Sequence, residues 1–128
     1  MAQYILLLYS PTEGGPSPEE QEAEMPRWFS YTQEVQDAGV MRGGEALHGT
    51  DSATTVRVRD GKRLISDGPF AETKEALGGY YVIDVPDLEA AVEWAAKIPS
   101  VGYGSVEVRP IMVFDDMPSD AAQAGAEA

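Results

Sequence analysis

Tyr4-Ile5-Leu6-Leu7-Leu8-Tyr9 is the stretch that decides the fold. It is apolar throughout and is bounded by Ser10-Pro11, a pattern typical of a strand that is covered on both sides. Because successive side chains of a strand point to opposite faces, both faces of this strand carry large apolar groups. The stretch Gly79-Tyr80-Tyr81-Val82-Ile83-Asp84-Val85 has the same property. We therefore predict a sheet whose central strands are apolar on both faces.

The first helix is predicted from a start signal that follows a glycine-containing loop. Ser17 is expected to be the N-cap, Pro18 the first helical residue, and Glu20 the partner that closes a capping box. Pro26 either kinks this helix or makes it restart, because proline cannot donate a backbone hydrogen bond. Gly39 is expected just beyond the helix end, where a left-handed backbone conformation is common.

Three further patterns complete the main elements. Residues 40–47 predict a strand in which Gly43-Gly44 favour a bulge or a bend. Asp87 is expected to cap a second helix that has a broad apolar stripe. Residues 105–114 predict the last strand, and Pro110 indicates an edge position or a bulge because it cannot donate to a ladder.

The clearest hairpin signal lies between the two predicted helices. Residues 54–59 and 62–66 flank Asp60-Gly61, the pair that is typical of a type I′ turn. A two-residue turn of this kind fixes the register of both strands. It pairs Thr54 with Asp67 at the open end of the hairpin.

The order of the elements predicts the fold class. Strand, helix, strand, hairpin, strand, helix and strand indicate an α+β protein: a ferredoxin-like antiparallel sheet with two helices on one face and an inserted β-hairpin. Two helices can cover only one face, and soluble monomers seldom expose a large apolar patch. We therefore expect a homodimer in which a second copy covers the other face. Residues 1–114 are expected to form a single domain, and the acidic, Ala-rich residues 115–128 a disordered tail.

The composition argues against several classes of protein. A formal net charge of −13, from 9 basic and 22 acidic residues, argues against nucleic-acid binding and disfavours anionic membranes. No apolar run approaches the roughly 18 residues of a membrane-spanning helix, and the start of the chain lacks the basic region of a signal peptide. We therefore expect a cytoplasmic protein. The absence of cysteine and the single histidine argue against a metal site. The sequence contains no nucleotide-binding motif, so we expect no cofactor.

The segment Asp67-Gly68-Pro69-Phe70-Ala71-Glu72-Thr73-Lys74-Glu75 is the most unusual in the chain. It places carboxylates, a lysine and a hydroxyl beside a rigid Gly-Pro turn. The hairpin register puts Asp67 on the face of Val56 and Val58, away from the nearest arginines, where it could act as a general acid or base. A β-bulge would reverse that face. In the alternative interpretation Asp67 closes a turn, Phe70 fills the core and the other polar groups are solvated.

His48 is the second candidate for proton transfer. It is the only histidine and lies at a predicted strand end beside Gly49. Imidazole is the commonest general acid–base group in enzymes, although a single histidine is more often incidental than catalytic.

Five short motifs are distributed along the chain: Ala53-Thr54-Thr55-Val56-Arg57, the string DGPFAETKE at residues 67–75, Gly78-Gly79-Tyr80-Tyr81, Glu93-Trp94-Ala95-Ala96 and Ser105-Val106-Glu107-Val108-Arg109-Pro110. Together they resemble the YCII-related proteins of the DGPF type, over residues 4–113. This resemblance implies a dimeric α+β barrel with a site in the cleft beside the sheet. Some relatives are thought to use a histidine–aspartate pair there, and some act as dehydrochlorinases. The aspartate corresponds to Asp67, and His48 is the candidate histidine.

Two hypotheses about function follow. In the first, the protein is a small-molecule enzyme in which Asp67 and His48 transfer protons and five other side chains bind the substrate. These are Arg57, Arg109, Phe70, Glu72 and Lys74. In the second, it is a non-catalytic ligand-binding or regulatory module, because DGPF-type proteins are often encoded beside, or resemble domains fused to, extracytoplasmic-function sigma factors. A dimeric scaffold without a ligand is a third alternative.

Overall fold

The computed structural model describes residues 1–114, so the predicted tail at residues 115–128 lies outside the described part of the chain. The strands and helices are β1 (Ala2–Pro11), α1 (Pro18–Asp37), β2 (Met41–Ala46), β3 (Thr54–Arg59), β4 (Lys62–Asp67), β5 (Glu75–Val85), α2 (Leu88–Ala96) and β6 (Ser105–Pro110). Two short 3₁₀ turns lie at Thr50–Ser52 and Pro99–Gly102. Four strands form an antiparallel sheet in the order β2-β5-β1-β6, whereas β3 and β4 pair only with each other. The predicted α+β class and ferredoxin-like strand order are confirmed.

The core lies between one face of the sheet and both helices. Leu6 on β1 and Ile83 on β5 are fully buried there. Tyr31 of α1 packs edge-on against Tyr81, with ring centroids 5.2 Å apart, and its hydroxyl donates to the backbone oxygen of Trp94 on α2 at 2.9 Å. One aromatic ring therefore joins both helices to the sheet. The buried apolar side chains of this core are Tyr4, Leu6, Leu8, Tyr31, Val35, Ile83, Val85, Ala91, Ala95 and Ile98.

Helix α1 begins and ends as the sequence predicts. The Ser17 hydroxyl accepts from the Glu20 amide at 3.1 Å, and the Glu20 carboxylate accepts from the Ser17 amide at 3.2 Å. Gly39 follows the helix with φ of 74°. The helix runs through Pro26 as one element, so the predicted alternative of a restart is wrong. Proline removes one backbone donor, and because this stretch of the helix is exposed, water can satisfy the freed carbonyl.

The two edge strands also follow the sequence. The pairing of β2 with β5 shifts between Met41 and Gly43, which confirms an irregularity beside the glycine pair. Gly44 and Gly79 let these strands approach closely, because a Cβ at either would lie 2.9 Å from a backbone oxygen of the other strand. Strand β6 is the opposite edge and ends at Pro110, four residues earlier than predicted.

The other face of the sheet, which we call the open face, carries no helix. Its apolar side chains are Ile5, Leu7, Tyr9, Tyr80 and Val82, and all are half-buried. Cross-strand pairing places Leu7 opposite Tyr80 and Ile5 opposite Val82. The prediction that both faces of the central strands are apolar is therefore confirmed.

Strands β3 and β4 form a projecting ribbon, which we call the arm (residues 54–67). Its register agrees with the sequence prediction: Val56 lies opposite Ile65, and Thr54 opposite Asp67. Asp60 and Gly61 have φ of 54° and 73°, as a type I′ turn requires. The apolar side chains of the arm are exposed; Ile65, for example, retains 63% of its accessible surface.

Candidate functional site

The DGPF segment leaves the arm as a loop (residues 68–74), which we call the site loop. Its first half is held by β3. The Gly68 amide donates to the backbone oxygen of Ala53 at 2.7 Å, and the Thr55 hydroxyl donates to the Gly68 oxygen at 2.8 Å. Gly68 has φ of 94°, which strains any residue with a Cβ. The chain direction immediately after Asp67 is therefore fixed by backbone hydrogen bonds and by one glycine.

Arg57 also holds the site loop. Its Nη2 atom donates to the backbone oxygen of Phe70 at 2.9 Å. Arg57 and Asp67 lie on opposite faces of the arm, as the register predicts, so this guanidinium supports the loop rather than pairing with the carboxylate. Of the predicted substrate-binding residues, Arg57 is the one that the structure brings into contact with the site loop.

The second half of the site loop is attached to the sheet through Thr12. The Thr12 amide donates to the backbone oxygen of Lys74 at 2.9 Å, and its hydroxyl donates to the backbone oxygen of Thr73 at the same distance. The Thr73 hydroxyl bonds in turn to the backbone oxygen of Glu75. Both ends of the site loop are therefore anchored by hydrogen bonds to backbone atoms.

Between these anchors, the predicted functional side chains point outward. Asp67, Phe70, Glu72 and Lys74 are all exposed, and Phe70 retains 74% of its accessible surface. The expectation that Phe70 fills the core is wrong, because no layer of residues 1–114 covers the site loop, whereas the other polar groups of that alternative interpretation are exposed as it expected. Within residues 1–114, the Asp67 carboxylate forms no ion pair: the ion pairs are Arg42–Asp84, Lys97–Glu34 and Arg109–Glu107.

His48 lies in a different connection of the fold from the site loop. It is exposed, in the connection between β2 and the 3₁₀ turn at Thr50–Ser52. In the described part of the chain, no side-chain hydrogen bond joins His48 to Asp67; the neighbouring backbone bond is donated by Leu47 to the oxygen of Gly78 at 2.9 Å.

Arg109 belongs to a polar cluster at the edge of the open face, which sequence reasoning missed. It stands on β6 opposite Ile5 of β1, and its Nε atom donates to the Glu107 carboxylate at 2.7 Å. Tyr9 donates to the same carboxylate at 3.3 Å. The hydrogen bond from Arg109 lowers the pKa of Glu107 and raises the pKa of Arg109. The signal in the sequence was the spacing of two, which puts Glu107 and Arg109 on one face of a strand.

Glu75 links the polar cluster to the site loop. It is the first residue of β5, and both oxygens of its carboxylate lie 3.0 Å from the Ser105 hydroxyl. Ser105 pairs with Tyr9, which contacts Glu107. A continuous polar path thus runs from the site loop along β6 to Arg109. The strand rise of ~3.3 Å per residue puts Arg109 about 13 Å from Ser105.

A groove lies on the helical side. It has a volume of about 610 Å³ and lies between the first half of α1 and the turn after α2. One carboxylate in its lining, that of Glu24, is already paired. Glu24 accepts from the Trp28 indole at 2.8 Å and from the Tyr103 hydroxyl at 2.8 Å. Burial and this carboxylate raise the pKa of Tyr103 to about 12.

Neither helix of residues 1–114 is long and apolar enough to cross a membrane. The same residues contain no cluster of three histidine, aspartate or glutamate side chains that could ligate a metal ion.

Comparison with known proteins gives two matches. The family model of the YCII-related domain matches residues 2–115. An uncharacterized protein of Rhizobium meliloti (strain 1021) is 36% identical over 100 residues, which span 77% of this chain and 81% of that protein. The family match covers the sheet, the arm, the site loop and both helices.

Proposed function

This chain belongs to the YCII-related domain family, and we propose that it is a homodimeric enzyme of the DGPF type that acts on a small organic molecule. Asp67 would serve as its general acid or base. One observation carries the proposal: the site loop is anchored at both ends, while the carboxylate beside it is exposed and forms no ion pair in residues 1–114. A fixed and available carboxylate is what proton transfer requires.

The second copy is expected on the open face. Five large apolar side chains are half-buried there without a covering layer from the described chain. Packing two such sheets face to face, about 10 Å apart, removes this apolar surface from water. The margin of the open face next to the site loop would then become a cleft, and the two subunits would form the dimeric α+β barrel.

The remaining site residues take different roles in this proposal. Arg109 would hold an anionic group of the substrate, because it is the cation of the open face nearest to the polar path. Phe70 would supply an apolar wall, Glu72 and Lys74 polar contacts, and His48 a second proton-transfer group. Arg57 would position the site loop through the Phe70 oxygen. The reaction would take place in the cytoplasm without a metal or a cofactor.

The test uses Asp67→Asn, which keeps the shape of the side chain and removes its charge. Wild type and variant are incubated with a panel of small organic acids and chlorinated organic compounds, and turnover is followed by NMR. We expect the variant to lose about 100-fold or more in rate while the sedimentation profile and thermal midpoint stay unchanged. Asp60→Asn is the matched control, because it changes an aspartate at the tip of the same arm where asparagine tolerates positive φ. Full activity of Asp67→Asn, or its unfolding, would contradict the proposal.

The regulatory module is a second candidate, and the exposed apolar side chains of the arm favour it. Val58 and Ile65 retain 61% and 63% of their accessible surface, which suits a protein-binding ribbon. Calorimetric titration with a purified extracytoplasmic-function sigma factor from the same genome would test it. We expect binding to be lost in Ile65→Asp. A titration without heat at micromolar concentrations of wild type would contradict it.

A further inference from the structure

The arm differs in charge from the rest of the chain. Residues 54–67 contain four of the nine basic residues, Arg57, Arg59, Lys62 and Arg63, but only two of the 22 acidic residues. The arm is therefore positively charged on a protein whose net charge is −13. Val56, Val58 and Ile65 share one exposed face with Arg63, and the other three basic side chains lie on the opposite face of the ribbon. A ribbon with this composition matches a surface that is acidic and apolar.

Helix α1 presents such a surface. It contains six acidic residues and one basic residue, and Phe29 retains 67% of its accessible surface. Helical spacing aligns Glu22, Met25 and Phe29 in one stripe, with Glu19 beside it. Met25 is also exposed. We call these four residues the α1 stripe. Two apolar side chains flanked by two carboxylates are complementary to the apolar face of the arm, where Arg63 lies opposite Val58.

Helical spacing places the α1 stripe on the side of α1 that faces away from α2. Thr32, at its border, is bonded to the Tyr81 hydroxyl at 2.8 Å, and Tyr81 stands on β5 next to the edge strand β2. Tyr31, by contrast, faces α2. A ribbon that comes from outside the subunit around the β2 edge would therefore meet the α1 stripe before any other part of the helical layer.

We propose that the arm of each subunit docks on the α1 stripe of a second copy of this chain. The proposal rests on the homodimer of the preceding section and adds to it what completes the site. Six residues per strand at ~3.3 Å each give the arm a reach of about 20 Å, which is close to the thickness of one sheet layer and one helix layer. The exchange is isologous, because each subunit gives one arm and receives one.

The consequence for the site follows from the position of Asp67. It is the last residue of β4, so whatever holds the arm also holds the carboxylate. The site loop is anchored within its own subunit on the Ala53 and Thr12 sides. The partner's helix would fix the arm itself, so the site of one subunit is complete only in the dimer.

Cross-linking tests the contact without reference to activity. The chain contains no cysteine, so single introduced thiols report one position each. Val58→Cys and Phe29→Cys are prepared as separate proteins, mixed to allow subunit exchange, and oxidised. A disulfide needs Cα atoms about 4.4–6.8 Å apart, and a short bis-maleimide extends that range. We expect a covalent heterodimer on a non-reducing gel.

The matched control is Val92→Cys, an exposed apolar position on α2. Mixed with Val58→Cys it should cross-link at least about ten times more slowly than Phe29→Cys. Equal rates for the two helices would overturn the proposal, and so would the absence of a covalent heterodimer from a sample that sediments as a dimer. Neither result depends on whether Asp67 is catalytic.

A charge exchange provides the second test. Glu22 is chosen because Glu20 closes the capping box and Glu24 is bonded to Trp28 and Tyr103. Reversal on the arm at Arg63, the basic residue that shares the face of Val58 (Arg63→Glu), should weaken dimerisation about tenfold, and so should reversal on the α1 stripe (Glu22→Lys). A chain carrying both substitutions should recover wild-type dimerisation within about threefold. Additive losses in that chain would overturn the docking.

Discussion

Strand β1 and the arm make a useful comparison, because both carry large apolar side chains on extended strands and yet only β1 is buried. Leu6 on β1 has no accessible surface, whereas Ile65 on the arm keeps 63%. The difference is the second layer: β1 lies under two helices, and no element of the described chain lies over the arm. Apolar side chains in a short run therefore predict a strand, and whether that strand is buried depends on what packs against it.

The largest difference between the two regions should appear in core truncation. Leu6→Ala is expected to lower the free energy of unfolding by about 3–5 kcal/mol, because it removes a fully buried side chain and leaves a cavity. Ile65→Ala on the arm should change it by less than about 0.5 kcal/mol. Urea denaturation measures both changes, at a protein concentration below the dissociation constant of the dimer. Similar losses at the two positions would mean that the arm has a covering layer within its own subunit.

The open face is intermediate between the core and the arm, and Leu7 lies at its centre opposite Tyr80. Leu7→Asp should weaken dimerisation about 100-fold, or roughly 2.7 kcal/mol, because it places an unpaired charge in an apolar contact. Sedimentation velocity across a concentration series measures the effect. Leu7→Met keeps the volume and should keep the dimer. A dimer of unchanged stability in Leu7→Asp would show that the subunits meet elsewhere.

A smaller effect is expected from the hydrogen bond between Tyr81 and Thr32, whose hydroxyl oxygens lie 2.8 Å apart. Tyr81→Phe keeps the ring contact with Tyr31 and removes this bond, so the free energy of unfolding should fall by about 1 kcal/mol. Chemical denaturation of the variant measures it. The bond ties α1 to β5, so an unchanged value would indicate that α1 packs on the sheet through apolar contacts alone.

The smallest effect concerns pH and the groove beside α1. The pKa of Tyr103 is raised to about 12 in the folded protein, by burial first and by Glu24 second. The unfolded chain releases this proton near pH 10, so this contribution to stability is complete below that pH and is lost as pH rises towards 12. In Tyr103→Phe, stability should fall less steeply between pH 10 and 12, as measured by denaturation at each pH.

Glu24→Gln separates the two causes of that pKa shift. It removes the charge and keeps an acceptor for Trp28 and Tyr103. The pH range over which the Tyr103 contribution to stability is lost should therefore become narrower, but it should not disappear. Burial also raises the pKa of Tyr31, which remains in both variants and leaves part of the alkaline slope in place. If the free energy of unfolding of Tyr103→Phe falls between pH 10 and 12 as steeply as that of wild type, the loss of stability at high pH comes from groups other than Tyr103.

Much of the fold could be predicted because its signals are local. The capping box at Ser17, the turn at Asp60-Gly61 and the register that pairs Thr54 with Asp67 all depend on neighbours in sequence. The predicted start of one strand was wrong for a non-local reason. Strand β5 begins at Glu75 rather than Gly79, because β1 extends to Pro11 and offers it a partner.

The candidate site was less predictable because its contacts join distant parts of the chain. The bond from Arg57 to the Phe70 oxygen and the bonds from Thr12 to the site loop connect residues 13 and 61 or more positions apart. The cluster of Tyr9, Glu107 and Arg109 requires that β6 lie beside β1, which only the sheet order determines. Where Asp67 lies was predictable from the hairpin, whereas what surrounds it depends on contacts between residues that are far apart in the sequence.

The hydrogen bond between the Gly68 amide and the Ala53 oxygen has a practical consequence. It spans 2.7 Å and brings together the two points at which the arm leaves the body of the protein. A chain in which residues 54–67 are excised, or exchanged for a different ribbon, should therefore close without stretching the backbone. The arm can therefore be exchanged as a unit while the four-stranded sheet and its two helices are kept unchanged.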